Sequence, residues 1–299
     1  MELQEPFYET HLGKAYLGDS LEIMQSLPEN SVNLVVTSPP FALVFKKAYG
    51  NKDQHEYVEW FLQYAREVHR VLQQDGSFVL DIGGAWNRSI PTRSLYQYKL
   101  LIALVEQVGF HLAQDCYWHN PGAIPAPAEW VNVRRIRVKG AVNHLWWLSK
   151  TSWPKADNRK VLKPYSADMT RLIKRGVKPT KRPSGHIITD KWKDQGGAIP
   201  SNLLEMGNND ANSTYLKKCR AAGLPVHPAR FPRGLPEFFM KLTTSEGDVV
   251  LDPFAGSNMT GEVAEDLGRR WIAIELEENY LRGSQFRFIQ PTLPMDCIS

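Results

Sequence analysis

Short apolar runs that stop abruptly at proline, glycine or acidic residues constrain the fold of this chain most strongly. Val32–Thr37 is β-branched and ends at Ser38-Pro39-Pro40, and Ser77–Ile82 is a second run of the same kind. Both have the length and composition of buried strands. Stretches with helical spacing, such as Gln54–Leu72 and Leu95–Val108, follow them along the chain. Strands that alternate with helices predict a parallel, doubly wound α/β sheet.

The alternation is interrupted and then resumes. His111–Trp118 is another predicted strand, whereas from Thr151 to Pro225 the chain is polar, rich in Pro, Gly and Asn, and weakly periodic. The elements predicted beyond it are helix Leu235–Leu242, strand Asp248–Leu251, helix Gly261–Asp266, strand Trp271–Glu275 and helix Asn279–Phe286. We therefore expect residues 1–150 and 226–299 to complete one sheet, with residues 151–225 as an inserted, loop-rich unit.

The charge of the chain is unevenly distributed. The net charge is only +4, but the segment from Arg134 to Arg182 holds 15 Lys and Arg against two acids. That segment carries +13 and the rest of the chain carries −9. A segment this basic predicts a polyanionic partner, and nucleic acid is the simplest one. The alternative is a solvated basic surface.

Several classes of protein are disfavoured by composition. Hydrophobic residues make up 42% of the chain, which is ordinary for a globular protein. The longest apolar runs fall short of a membrane span, and the first residues lack the apolar core of a secretory signal. The three cysteines are scattered and show neither a disulfide framework nor zinc-ligand spacing. We expect a cytoplasmic chain without a metal.

A candidate cofactor corner lies in the segment 248–258. A predicted strand ends at Asp252, and a turn containing Gly256 precedes a helix, so the backbone can approach a ligand closely there. Glu275 ends the next strand, where a carboxylate can accept hydrogen bonds from ribose hydroxyls. The G-x-G-x-x-G of dinucleotide sites is absent, so a nucleoside cofactor without phosphates, such as S-adenosylmethionine, fits better. The alternative is a strand–turn–helix corner with no ligand.

A second motif, Ser38-Pro39-Pro40-Phe41, also follows a predicted strand. The prolines fix the backbone and remove its N–H donors, so the Ser38 hydroxyl and nearby carbonyls can converge as acceptors. Such an arrangement suits an amino group that donates two hydrogen bonds, and Phe41 offers a face on which an extruded base can stack. The alternative is an ordinary proline turn.

Together these motifs resemble the signatures of amino-group DNA methyltransferases. Their order along the chain resembles the β class of that family, which belongs to type II restriction-modification systems. His227-Pro228-Ala229-Arg230-Phe231-Pro232 matches a third signature of the family, and Tyr16-Leu17-Gly18-Asp19-Ser20 resembles the segment whose acid contacts the cofactor adenine. The resemblance implies a circularly permuted methyltransferase fold with a mixed sheet, S-adenosylmethionine as cofactor and a flipped base in duplex DNA. It also implies a catalytic part at 1–150, a target-recognition region at 151–225 and a cofactor-binding part at 226–299.

The resemblance and the motifs define the candidate site. Asp81, which ends the neighbouring strand, would orient Ser38 and take up a proton; its alternative role is to cap a loop. The predicted catalytic residues are Ser38, Pro39, Pro40, Phe41 and Asp81. The predicted cofactor-binding residues are Asp19, His227, Pro228, Arg230, Phe231, Asp252, Phe254, Gly256, Ser257, Asn258 and Glu275.

The identity of the methylated base depends on one residue. Serine before Pro-Pro resembles the cytosine-N4 enzymes, and adenine N6 remains the alternative. Methylation of cytosine carbon 5 is disfavoured, because Cys116, Cys219 and Cys297 do not follow proline. A non-catalytic DNA-binding protein and an RNA or protein methyltransferase also remain open, whereas a nicotinamide oxidoreductase is remote.

Contacts to DNA are expected from basic residues, some of which will be solvated surface. The candidates are Lys46, Lys47, Arg134, Arg135, Arg137, Lys181, Arg182 and His186. The resemblance suggests CAGCTG as the target, and a monomer is sufficient for methylation.

Overall fold

The computed structural model describes residues 4–42, 52–176, 180–181, 183, 185, 187–188, 194–208 and 213–288. The strands are β1 (Tyr8–Glu9), β2 (Gly13–Leu17), β3 (Val32–Thr37), β4 (Leu72–Ile82), β5 (His111–His119), β6 (Val142–Ser149), β7 (Thr180–Lys181), β8 (Ile187–Ile188), β9 (Leu203–Glu205), β10 (Val249–Asp252) and β11 (Arg270–Glu275). The α-helices are α1 (Ser20–Gln25), α2 (Tyr57–Val71), α3 (Tyr96–Ala103), α4 (Ala167–Arg175), α5 (Thr214–Ala221), α6 (Gly234–Thr243), α7 (Met259–Asp266) and α8 (Glu278–Ser284). Shorter helical turns are Leu104–Val108, Glu129–Val133, Asn158–Val161 and Gln285–Arg287.

Nine strands form one mixed sheet in the order β1-β2-β11-β10-β3-β4-β6-β5-β9. The five strands from β2 to β4 in this order are parallel, whereas β6 is antiparallel to both β4 and β5. The mixed sheet implied by the family resemblance is confirmed. The parallel arrangement expected from the alternation of elements holds from β2 to β4. It does not extend to β6, which follows β5 through a loop rather than a crossover helix and pairs with it in the antiparallel direction.

Both faces of the sheet are buried at its centre, which explains why the central strands β3 and β10 are continuous apolar runs. On β3, Val35 packs on one face while Leu34 and Val36 pack on the other. Helices α1, α2 and α3 supply the first layer, and α6, α7 and α8 supply the second. Because successive side chains of a strand alternate in direction, one apolar run serves both layers.

The predicted elements agree with the structure apart from their ends. β3 has the predicted bounds, whereas α2 begins three residues later than expected because Gln54–Glu56 form a turn that the Glu56 amide closes on the Asp53 carbonyl (3.2 Å). Helix α3 continues into the π-helical turn Leu104–Val108 and stops at Gly109, whose φ of 94° only glycine adopts readily.

The inserted region contributes to the same sheet. Strand β9 pairs with β5 in parallel, and α5 forms a small apolar cluster in which Tyr215, Leu216 and Cys219 pack against neighbours that include Phe286. Residues predicted as a separate recognition unit thus support the main body of the protein. The assignment of target recognition to 151–225 stays a prediction.

The carboxyl ends of β2, β11, β10, β3 and β4 meet at one edge of the sheet. Ligands of open α/β sheets bind outside this edge, where the chain connections on either side of two central strands diverge. Here that point lies between the neighbouring strands β10 and β3. The chain continues from β10 to β11 on one side of this point and from β3 to β4 on the other. None of the helices in the described part of the chain is long and apolar enough to cross a membrane.

Candidate active site

A cavity of about 510 Å³ opens at this edge of the sheet. Its volume lies in the range of small-molecule and cofactor sites. It brings together residues from segments far apart in sequence. The predicted residues that line it are Asp19, Ser38, Pro39, Pro40, Phe41, Asp81, His227, Pro228, Arg230, Phe231, Phe254, Gly256, Ser257 and Glu275.

Ser38, Asp81 and Asn143 form a hydrogen-bonded relay at one end of the cavity. The Ser38 hydroxyl donates to Asp81 Oδ2 (3.0 Å), and the Asn143 amide donates to Asp81 Oδ1 (3.1 Å). Three adjacent strands place these groups, because β4 lies between β3 and β6. Since its proton points to Asp81, the Ser38 oxygen keeps its lone pairs for another donor. Asn143 was not predicted as a site residue.

Burial dominates the electrostatics of this relay. Asp81 is 2% exposed, and burial raises its pKa to about 7, although the hydrogen bonds from Ser38 and Asn143 oppose the shift. A carboxylate with a pKa close to neutrality can hold or release a proton near physiological pH. Asp81 therefore has the properties of an acid–base group.

Phe41 lies against the backbone that follows β4. A Cβ atom at Gly83 would lie 2.5 Å from Phe41 Cε2, so only glycine allows this approach. The carbonyl of Gly83 also accepts a hydrogen bond from the buried Tyr96 hydroxyl. The Phe41 ring is thus positioned by a backbone surface that has no side chain.

Glu275 and Gly256 form the opposite wall. Glu275 Oε2 accepts from the Gly256 amide (2.7 Å) and Oε1 accepts from the Glu277 amide (2.9 Å). Each oxygen retains a lone pair for a further donor. Burial raises the pKa of Glu275, whereas the backbone amides favour its ionised form. This carboxylate is held in place and can still accept from hydroxyl groups.

His227 covers the turn at Gly256. Gly256 has a φ of 52°, and a Cβ there would lie 3.0 Å from His227 Cε1, so both conformation and space require glycine. His227 Nδ1 donates to the Ala229 carbonyl (2.5 Å), and burial lowers the pKa of His227 to about 4. The imidazole is therefore neutral at physiological pH. Arg230 also lines the cavity, and its Nε is buried without an acceptor among the described residues.

Two predicted cofactor residues do not line the cavity. Asp252 is 2% exposed and accepts from the Thr37 hydroxyl (2.6 Å), the Thr260 hydroxyl (2.6 Å) and the Phe254 amide (3.1 Å). Asn258 is fully buried and caps α7. We correct the expectation of direct contact for both, because the motif places their side chains in the protein rather than in the cavity. The hydrogen bond from Thr37 to Asp252 instead connects β10 to the end of β3, next to Ser38.

Ser257 is held from behind by Arg287. Arg287 Nε donates to the Ser257 carbonyl (2.5 Å) and Nη2 donates to the Ser257 hydroxyl (3.0 Å). The guanidinium also pairs with Glu262 (2.6 Å) and lies over the Tyr215 ring, 4.2 Å from its centroid. These contacts connect the cavity turn to α5 and α7.

An aromatic wall of the cavity was missed from the sequence. Trp60 and Tyr64 of α2 line the cavity beside Phe254, with ring centroids 6.0 and 5.1 Å from that of Phe254. Burial, together with the charge of nearby Asp19, raises the pKa of the Tyr64 hydroxyl. The sequence predicted a helix over Gln54–Leu72 and assigned no site role to Trp60 or Tyr64, although their i, i+4 spacing places both on one face of that helix.

The predicted DNA contacts are partly described. Arg134, Arg135 and Arg137 lie on the exposed loop between β5 and β6. Lys46, Lys47, Arg182 and His186 lie outside the described residues, and only the backbone of Lys181 is described, in β7. DNA contact by all eight stays a prediction. Cys116 and Cys219 are buried free thiols, and the described ranges contain no group of three or more side chains suited to a metal.

Comparison with known proteins agrees with this geometry. Residues 32–286 match a family model for N6 and N4 methyltransferases described as DNA methylase. The chain is 51% identical to the type II methyltransferase M.PvuII of Proteus hauseri, over 99% of this chain and 89% of that protein. The solved PvuII DNA methyltransferase (cytosine-N4-specific) superposes with a TM-score of 0.80 at 46% identity, over 97% of this chain and 91% of that one.

A more distant structure shares the fold. The modification methylase TTHA0409 of Thermus thermophilus, described as putative and solved with S-adenosyl-L-methionine, has a TM-score of 0.58 at 22% identity, over 94% of this chain and 96% of that one. The family match and the half-identical relative each cover most of the sequence, and the chain belongs to the DNA methylase family of N6 and N4 methyltransferases.

Proposed function

We propose that this protein is a site-specific DNA methyltransferase that transfers a methyl group from S-adenosylmethionine to the exocyclic N4 of a flipped cytosine. The observation that carries the proposal is the Ser38–Asp81–Asn143 relay, which shares one cavity with the Glu275 corner. The relay provides acceptors for an amine, and the corner provides acceptors for ribose hydroxyls. Both reactants would therefore meet in one enclosed space.

The residues of the cavity fit S-adenosylmethionine. Glu275 offers carboxylate lone pairs to the ribose, Asp19 offers an acceptor to the adenine amino group, and Phe254 offers a face to the purine ring. The unpaired Arg230 Nε would be satisfied by the carboxylate of the amino-acid tail. Carboxylates would repel phosphates, so a dinucleotide fits poorly. When bound, S-adenosylmethionine supplies an electrophilic methyl group on a sulfonium.

The Ser38 loop performs the amine recognition. An exocyclic amine of a base is a poor nucleophile because its lone pair is delocalised into the ring. The Ser38 oxygen, whose own proton is bonded to Asp81, accepts one N–H, and carbonyls beside Pro39 and Pro40 accept the other. Acceptors outside the ring plane favour a localised lone pair on nitrogen. Phe41 stacks on the base that has left the duplex.

Asp81 removes the proton that the amine must lose. As the new N–C bond forms, the bond between the methyl carbon and the sulfonium sulfur would break and leave a neutral thioether. N4 then gives a proton to Ser38, which passes its own proton to Asp81 along the existing 3.0 Å hydrogen bond. The raised pKa of Asp81, about 7, makes it a better acceptor than an ordinary aspartate. The hydrogen bond from Asn143 holds the Asp81 carboxylate in position during the proton transfer.

The choice of cytosine is supported by Ser38 and by the half-identical relative, whose structure is described as cytosine-N4-specific. The same resemblance supports CAGCTG as the target and a role in protecting host DNA within a restriction-modification system. We further propose that the protein acts as a monomer in the cytoplasm. Buried, unpaired Cys116 and Cys219 suit that reducing compartment.

The proposal is tested by incubating purified protein with S-adenosylmethionine labelled in its methyl group and with duplex DNA or RNA containing CAGCTG (CAGCUG in RNA). Product nucleosides are identified by mass spectrometry, and protection is scored with a restriction enzyme that cuts CAGCTG. We expect N4-methylcytosine in DNA alone, together with protection. N6-methyladenine as the only product would refute the cytosine assignment, and full cleavage of methylated DNA would refute the target.

A further inference from the structure

We propose that residues 120–141, called here the 120–141 arm, contact duplex DNA beside the extruded base. In this contact, Arg135 lies on a phosphate and the exposed aliphatic side chains of the arm lie against the base stack. This inference rests on the proposed function, since it takes the DNA-methylating site as the point of reference. The arm, and not residues 151–225 alone, then helps to keep the DNA duplex open around the extruded base.

The position of the arm follows from the sheet. It leaves β5 after His119 and returns at Val142, and the Asn120 amide bonds the Ala141 carbonyl (2.8 Å) at its base. Trp118, two residues before the arm, lines the active-site cavity. Asn143, two residues after it, donates to Asp81. Both ends of the arm are therefore anchored at the cavity.

The arm is ordered by its own hydrogen bonds. Lys139 donates to the carbonyls of Pro121 (3.3 Å) and Ala123 (3.1 Å), which joins the two sides of the arm. Arg137 donates twice to the Pro91 carbonyl (3.1 and 2.8 Å), which fixes the arm to the segment after β4. A pre-ordered element loses less conformational entropy on binding than a flexible loop.

The charge of the arm suits a polyanion. It contains four cations and one acid, Glu129. That acid is already paired with Arg134 (2.7 Å), whose guanidinium also lies 5.3 Å from the Trp130 ring centroid. Arg135 is exposed, and its side chain makes no hydrogen bond, ion pair or ring contact with the described residues. Its φ of 55° lies in the left-handed region, which is unfavourable for a residue other than glycine. Arg135 is therefore the cation of the arm that is available to a phosphate.

The apolar surface of the arm suits the bases. Val138 is 87% exposed, Ile124 is 77% exposed and Val133 is 70% exposed. Aliphatic side chains next to cations are a recurring means of separating stacked base pairs, because the cations hold the backbone while the apolar group replaces lost stacking. A site that extrudes a base requires such a replacement.

The test compares Arg135→Gln with Arg270→Gln. Arg270 is also exposed but lies at the amino end of β11, at the opposite edge of the sheet from the cavity. Affinity for a duplex carrying the target is measured over a range of salt concentrations, without methyl donor. We expect Arg135→Gln to weaken binding about tenfold and to reduce the slope of log affinity against log salt by about 0.9. Arg270→Gln should change neither.

A second variant tests the apolar contribution. Val138→Ser should keep the salt slope of the unchanged protein and lower the fluorescence of 2-aminopurine placed at the target base, which reports unstacking. Thermal unfolding of each variant checks the fold, which these exposed positions should leave intact.

Equal salt slopes for Arg135→Gln and Arg270→Gln, with unchanged fluorescence for Val138→Ser, would overturn the proposal. So would light scattering in which the arm variants alter self-association while DNA affinity is constant, because the arm would then be an interface between copies.

The two proposals fail separately. If the unchanged protein binds DNA through the arm but transfers no methyl group, the proposed function fails and the arm stands.

Discussion

Asp81→Asn tests directly whether the active site holds a carboxylate that opposes folding at neutral pH. In the folded protein Asp81 is buried and its pKa is raised to about 7, whereas the ordinary value is 3.8. Between these values the folded protein keeps a proton that the unfolded chain has released. The free energy of unfolding therefore falls as pH rises through this window, and the loss is complete above about pH 7.

The magnitude follows from the width of the window. Each unit of pKa difference corresponds to about 1.4 kcal/mol. Because buried Asp81 resists ionisation, raising the pH from about 5 to about 7 lowers the free energy of unfolding by about 3 kcal/mol. Asparagine has nearly the same shape and does not ionise. The stability of Asp81→Asn relative to the unchanged protein should therefore rise by about 3 kcal/mol between these two conditions and stay constant at higher pH.

The assay is urea unfolding of both proteins at about pH 5 and about pH 8, with ΔG extrapolated to water. Asp115→Asn, which removes an exposed carboxylate from β5, is the matched control. Comparing differences between proteins cancels the response of every other titrating group. A stability difference for Asp81→Asn that does not change with pH would refute the argument that burial raises the pKa of this carboxylate.

Three further predictions concern activity and stability. The methylation rate of the unchanged protein should fall about tenfold per pH unit below pH 7, because protonated Asp81 cannot accept a proton. Asp81→Asn should be slower by about 10²–10⁴-fold, and its rate should show no change of slope near pH 7. Initial rates measured against pH test both expectations. Gly83→Ala should lower kcat by at least about tenfold by displacing Phe41, while the affinity for DNA stays nearly unchanged. Steady-state kinetics and DNA titration measure the two quantities, and a kcat and a DNA affinity that both match the unchanged protein would contradict the prediction. Arg287→Met should lower the unfolding free energy by about 2 kcal/mol, because Glu262, which is 26% exposed, loses its ion-pair partner. Adding Glu262→Gln should recover part of this loss, and no recovery in urea unfolding would exclude the ion pair as the cause.

The sequence predicted the elements that local patterns determine. Val32–Thr37 and the residues after it were predictable because β-branched residues followed by two prolines define both a strand and its end. Glu275 was predictable for a similar reason, since an apolar run that ends in an acid places that acid at the carboxyl edge. In both cases a few adjacent residues contain the physical cause.

The rest depended on contacts between distant segments. Asn143 reaches Asp81 only because β6 pairs with β4, and nothing in Val142–Ser149 specifies that partner or its antiparallel direction. The inward orientation of Asp252 could not be predicted either, because it depends on hydroxyls at Thr37 and Thr260 that fold around the carboxylate. Local sequence specifies which groups reach the edge of the sheet, and tertiary packing decides which of them face the ligand.

The central claim is that the Ser38 loop directs a methyl group to cytosine N4, and genomic DNA from an expressing host tests it most directly. Sequencing with modified-base detection reports the base, the site and the activity together. We predict N4-methylcytosine at CAGCTG in cells that express the unchanged protein, and its loss in cells that express Ser38→Ala at the same level. N6-methyladenine as the only new mark, or unchanged methylation with Ser38→Ala, would contradict the account.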